Sequence, residues 1–210
     1  MTDTTFFGGL KVTNVMMMLS DPQETNRLGD GSVLKASLGA ALWAGEATLP
    51  AGPHHLQAEA EVRLARLMRA GETLLVYDPR SNGPAADPGG VVLGTSTPTI
   101  HTMDAGNRRI RITGLPAGYY LQAGDWIGWQ YGSNPTRYAV HRIETAAVAD
   151  AAGLTPLFGV EPFIRPGVTT GTAVTLVRPP FKAVVTSANY GAGGARVSQG
   201  PSFSFIQTLR

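Results

Sequence analysis

The chain has 210 residues, 17 basic and 15 acidic, for a formal net charge of +2, with 26 Gly, 15 Pro and no Cys. At 15% charged and 43% hydrophobic it is not compositionally disordered. The absence of cysteine excludes a disulfide framework, a thiolate metal site and a cysteine nucleophile.

Taken in chain order, Met1 to Thr5 lack the basic region of a secretory signal. The apolar run Val15 to Leu19 is far short of the roughly 20 residues of a spanning helix. Lys11 to Leu19 reads as a strand, and Asp21-Pro22 opens a loop that ends near Gly29-Asp30-Gly31. Ser32 to Leu49 reads as one or two strands, with Leu42, Ala44, Glu46 and Thr48 alternating against Trp43, Gly45, Ala47 and Leu49. A helix is predicted over residues 54–70, with Pro53 at its first turn and Gly71 as terminator. Leu56, Ala60, Leu64, Leu67 and Met68 form its apolar stripe, and Glu59 and Arg63 are an i,i+4 pair. Thr73 to Tyr77 is the next strand.

Asp78 to Pro98, rich in Pro and Gly, reads as a loop or domain junction. Strands resume from about Val91 to Val177. Arg109 to Thr113 alternates cleanly, Trp126 to Trp129 follows Gly124-Asp125, and Tyr138, Val140 and Arg142 share one face of a strand. Leu157 to Val160 and Ala173 to Val177 are further runs, and Ala146 to Gly153 suits either a short helix or a turn. This spacing suggests a small antiparallel barrel or sandwich. Pro179-Pro180 closes the segment. The tail holds two strands, Ala183 to Thr186 and Ser202 to Ile206, around a Gly-rich arm, Tyr190 to Gly200.

Chemistry-bearing patterns are sparse. There is no phosphate loop, no nucleophile elbow and no H-E-x-x-H. Gly191-Ala192-Gly193-Gly194 lacks the last glycine and the helix of a dinucleotide fingerprint and reads as a flexible loop. His54 and His55 are adjacent and cannot chelate as an i,i+4 pair; His101 and His141 stand alone, although His141 with Asp125 would be the pair on which a hydrolase could be built. Glu59 and Glu61 lie on different sides of the helix. The basic groups Arg63, Arg66, Arg69 and Arg108, Arg109, Arg111 read as solvated faces or subunit contacts, because the near-neutral charge gives no footprint for nucleic acid. Trp126, Trp129 and Tyr131 form a candidate sugar-stacking strip. Trp126 and Trp129 are three apart, however, and so face opposite ways on a strand, which favours core packing for one of them. From these residues, no catalytic group, cofactor or metal is expected.

Several blocks in order resemble one family. They are the Trp43 to Pro79 strand–helix–strand ending Tyr77-Asp78-Pro79; Gly114-Leu115-Pro116; Leu121-Gln122-Ala123-Gly124-Asp125-Trp126-Ile127; Tyr138-Ala139-Val140; Ala149-Asp150-Ala151-Ala152-Gly153; Val160-Glu161-Pro162-Phe163-Ile164-Arg165; Gly171-Thr172-Ala173-Val174; and Arg178-Pro179-Pro180. Together they cover about 130 residues and resemble the distal tail proteins of long-tailed, siphovirus-type bacteriophages and related prophage or gene-transfer particles. The first 30 residues take no part in the resemblance.

That resemblance implies a mainly β protein with one amphipathic helix. A discontinuous β-sandwich ring domain would take residues 1–80 and 180–210, and a small β-barrel of oligonucleotide/oligosaccharide-binding type, residues 90–179, would be inserted in it. It implies a virion protein of the tail tip, assembled in the bacterial host cytoplasm. Its copies would form a homo-oligomeric, usually hexameric ring that joins the tail tube protein to the tail hub protein. DNA would pass through the channel without specific binding, and no membrane would be involved. The expected subunit interface is Val12, Val15, Met17, Leu19, Trp43, Tyr190, Phe203 and Phe205. The alternative is a carbohydrate-binding module that recognises a host surface through Trp126, Trp129 and Tyr131.

Overall fold

The computed structural model describes residues 2–9, 12–194 and 196–210. In chain order the elements are β1 (Thr2–Asp3), α1 (Phe6–Gly9), β2 (Asn14–Ser20), β3 (Gln23–Arg27), β4 (Val33–Ser37), β5 (Leu42–Thr48), β6 (Gly52–Pro53), α2 (His54–Leu67) and β7 (Thr73–Val76). Then come β8 (Thr99–Met103), β9 (Arg109–Thr113), β10 (Tyr120–Leu121), β11 (Trp126–Tyr131), β12 (Arg137–Ile143), β13 (Ala147–Val148), β14 (Phe158–Glu161) and β15 (Val174–Thr175). The last are β16 (Phe181–Asn189), β17 (Val197–Ser198) and β18 (Ser202–Gln207). With 41% strand against 8% helix, the protein is mainly β.

Six strands build the first sheet in the order β1-β7-β16-β18-β5-β2, antiparallel apart from the β1–β7 pair. The two-residue period of each strand sorts its side chains. Val15, Trp43, Ala47, Leu74, Val76, Phe181, Ala183, Val185, Phe203 and Phe205 all point into one apolar core. Helix α2 closes that core with Ala60, Leu64 and Leu67, and Phe7 sets its ring edge-on to Tyr77, Phe203 and Phe205. Each aromatic so buried contributes on the order of 2–3 kcal/mol by area. Gly45 is a packing requirement. A Cβ there would lie 2.2 Å from the Met16 carbonyl oxygen and 2.8 Å from the Phe205 ring.

The second sheet runs β15-β11-β12-β14-β9-β8 and nearly closes on itself into a barrel-like form. Thr99 bridges to Ala173, the Ile100 amide donates to the Thr172 carbonyl at 2.9 Å, and the Val174 amide donates to the Pro98 carbonyl at 2.8 Å. Its interior is a separate cluster that includes Ile110, Ile112, Leu121, Ile127, Trp129, Phe158 and Val160. Strand β11 is buried on both sides. Ile127, Trp129 and Tyr131 fill the barrel, while Trp126 joins the core of the first sheet.

Several expectations are corrected. The segment expected as a loop from Asp21 holds β3, which pairs along its whole length with β4; Gln23-Glu24-Thr25-Asn26-Arg27 has no apolar residue to betray a strand. Lys11, the expected start of the first strand, and Ala195, within the expected Gly-rich arm, lie outside the described residues. The helix ends at Leu67, not residue 70, and Gly71 falls in the turn that follows. Its buried stripe is Gln57, Ala60, Leu64 and Leu67, whereas Leu56 (54%) and Met68 (42%) are exposed. Gln57 takes the inward place by donating its side-chain amide to the Pro50 carbonyl at 2.8 Å. Of the two readings of Ala146 to Gly153, helix or turn, the turn is the one found, preceded by the short strand β13.

Candidate functional site

The three aromatic residues expected to stack on a sugar are all buried: Trp126 at 4%, Trp129 at 2% and Tyr131 at 6% exposure. They offer no face to a glycan. Trp126 instead meets Trp43 edge-on at 4.7 Å, and the Trp43 indole N–H donates to the Val140 carbonyl at 2.8 Å. The Trp126 N–H donates to Asp78 at 3.2 Å, and the Arg142 guanidinium lies 4.5 Å above the Trp126 ring. Asp78 is itself gripped by Arg80 through two bonds of 2.9 Å. Burial pulls the Asp78 carboxyl up, but the Arg80 bonds and charge and the Trp126 bond outweigh it and hold it below the usual range. The two tryptophans thus clasp the two sheets together.

His141 and Asp125 do not form the expected pair. His141 is buried inside the barrel and donates from Nδ1 to the Pro162 carbonyl at 2.6 Å. That carbonyl can only accept, so Nδ1 carries the proton and Nε2 is bare. Nε2 and the Trp129 indole N–H, whose rings stack at 4.5 Å, have no hydrogen-bond partner among the described residues. Burial lowers the His141 pKa to about 4, with Arg165 acting the same way and the Pro162 bond opposing. The Asp125 carboxylate is occupied by the amides of Ala85 (2.9 Å) and Gln122 (2.8 Å), where it fixes a turn against the 78–98 junction.

The other histidines and the basic groups also take their places. His54, exposed like His55 and His101, sits 3.2 Å from the Ser198 hydroxyl. Arg63 and Arg66 converge on the buried carboxylate of Asp3, with Arg63 also 3.9 Å from Glu59. Arg109 pairs with Asp104 at 3.2 Å. A cleft of about 540 Å³ separates Asp21, Ser37 and Gly39 from barrel loops at Arg108 and Glu161 to Pro166. There Arg108 caps the Phe163 ring at 4.3 Å within the barrel loops, and Arg165 donates to the Ala41 carbonyl at 2.7 Å, which joins the two parts. Among the described residues no group of three or more His, Asp or Glu is placed to hold a metal ion, and no helix is long and apolar enough to cross a membrane.

The residues expected at a subunit interface differ in burial. Val15 (4%), Trp43 (5%), Phe203 (2%) and Phe205 (1%) are taken up by the chain's own core. Val12, Met17 and Leu19 pack half-buried against the same cluster. Of the eight, Tyr190 alone is largely exposed. The uncovered apolar side chains lie elsewhere. Met16 and Met18, on the opposite face of β2, are each 48% exposed. Between β2 and β5 the chain forms a separate two-stranded arm, β3–β4, and every residue from 21 to 40 is exposed. No protein-family model matches the chain, and no curated protein matches it significantly.

Proposed function

We propose that this chain is a structural subunit of a phage tail tip whose copies close into a ring around a DNA channel. The observation that carries the reading is the first sheet's exposed edge. Strand β2, Asn14-Val15-Met16-Met17-Met18-Leu19-Ser20, pairs on one side only, with β5. It has none of the charges, prolines or bulges by which edge strands avoid pairing with another chain. The far edge is β1, two residues long. A sheet with two different edges in need of neighbours associates head to tail, and such contacts close into a ring when the rotation per copy permits. The family resemblance supports the same reading. The first sheet with α2 would be the sandwich ring domain, and the nearly closed sheet would be the inserted oligonucleotide/oligosaccharide-binding-type barrel. Tail tube and hub proteins would be the axial partners of the ring. A net charge of +2 suits a channel that must not hold DNA.

Light scattering after size exclusion, with negative-stain imaging, tests this. The expected particle is a ring, six-fold if the family pattern holds. A strictly monomeric chain at tens of micromolar, also in the presence of tube and hub proteins, overturns it.

A further inference from the structure

We infer that the β3–β4 arm of one copy lies across the open face of the first sheet of the next copy. This inference rests on the ring reading and names the contact that would hold the ring.

The arm is a two-stranded ribbon, a form that is only marginally stable in water without cover. Its register pairs Asn26 with Leu34 and Glu24 with Ala36, so these share a face, and the two-residue period adds Leu28 and Leu38 to it. Leu28, Leu34 and Leu38 are 44%, 58% and 67% exposed. The other face carries Gln23, Thr25, Arg27, Lys35 and Ser37, with Val33 (51% exposed) as its one apolar member. The arm is therefore unevenly apolar, with a three-leucine stripe that no described residue covers. Residues 21–40 match the roughly 20–30 residues a side of a standard protein interface. Three acids (Asp21, Glu24, Asp30) against two cations (Arg27, Lys35) give it no attraction to nucleic acid or to an anionic membrane.

The surface that matches it is on the same polypeptide. On the face of the first sheet turned away from α2, the register aligns Val184, Ile206, Ala44 and Met18 in one row across β16, β18, β5 and β2. None of the four belongs to either buried cluster. The row spans three strand spacings, about 14 Å at ~4.8 Å each. The stripe from Leu34 to Leu38 spans four residues, about 14 Å at ~3.4 Å each. A ribbon laid across the strands, in the orthogonal mode of sheet packing, brings the two into coincidence. The contact is not made within one chain, because every residue from 21 to 40, the stripe included, stays exposed. Arm on one copy and row on the next is a heterologous contact, the kind a ring requires.

The chain has no cysteine, so single introduced thiols report position cleanly. Leu34→Cys and Met18→Cys variants are mixed at tens of micromolar and treated with a short bismaleimide, and unlinked wild type is weighed by light scattering. The expected result is a linked pair from the mixture and little from either variant alone. Leu28→Asp/Leu34→Asp should weaken association at least ~10-fold and leave circular dichroism and the thermal midpoint of the dilute, dissociated chain unchanged, since both side chains are exposed. Oligomeric wild type without the mixed link, or with Leu34→Cys linking to itself, overturns the arm contact and leaves the ring reading standing. A monomeric wild type without any link overturns both.

Discussion

At the scale of single residues, His141 shows how burial reshapes a group whose ordinary role would be titration. Its ring is neutral in the fold because a charge there would be enclosed among Trp129, the Pro162 carbonyl and the Arg165 cation. The unfolded chain protonates it near pH 6.5, and the folded chain only near pH 4. Between those values the unfolded state binds more protons, so stability falls as pH drops from 6.5 to 4 and the loss levels off below. The shift corresponds to roughly 3 kcal/mol at most. His141→Gln should flatten this part of the profile when urea midpoints are compared at pH 7, 5.5 and 4.5. Equal slopes in the two proteins would show that other groups carry the acid sensitivity. Asp78 and Asp87, both held below their usual range, act in a lower window, losing their contribution as pH falls through the acidic values where they take up protons.

At the scale of elements, the sequence makes periods legible but not which face is inward. Val15, Met17 and Leu19 alternate with Met16 and Met18, but all five are apolar, so hydropathy alone cannot say which set meets the core. The partners decide it. Gly45 stands between Met17 on one neighbouring strand and Phe205 on the other, and the close approach of the Phe205 ring to Gly45 marks the inward side. The helix is misread by one position for a related reason, since Leu56 is apolar and Gln57 polar, yet the Pro50 carbonyl gives Gln57 an inward partner. The arm strand β3 is illegible because its identity comes from pairing with β4 and not from its own side chains. The opposite facing of Trp126 and Trp129, by contrast, follows from spacing alone, and the structure places them in different cores. A prediction belongs here. Gly45→Ala forces a methyl onto the Met16 carbonyl and the Phe205 ring, and it should lower stability by roughly 1–3 kcal/mol, as overpacked cores do. Ala47→Gly, by contrast, empties space and should cost about 1 kcal/mol or somewhat more. Urea denaturation of both variants tests the asymmetry in kind, and a neutral Gly45→Ala would mean that β2 can shift on β5.

At the scale of the molecule, two apolar cores share one joint. Trp43 comes from the first sheet and Trp126 and Val140 from the barrel-like sheet, yet all three lie in a single cluster. Around them the Gln207 amide reaches the Tyr138 carbonyl at 3.4 Å, and Lys182 reaches the Thr136 carbonyl at 3.3 Å. With Arg165 on Ala41 and Asp125 on Ala85, the joint has polar contacts on several sides. So many shared contacts make the two cores unfold together, and calorimetry of the intact protein should give one transition. Trp43→Ala removes the central ring and leaves the Val140 carbonyl without its donor. The loss should be about 3–5 kcal/mol, and it falls unequally. The first sheet loses part of its core, while the barrel's interior cluster, which does not include Trp43, keeps every member. The single transition should therefore split, with the barrel melting near the original temperature and the first sheet well below it. If the variant melts once, with the whole transition displaced downward, the two cores are one cooperative unit held by the polar contacts around the joint, and the indole clasp is only one contributor to it.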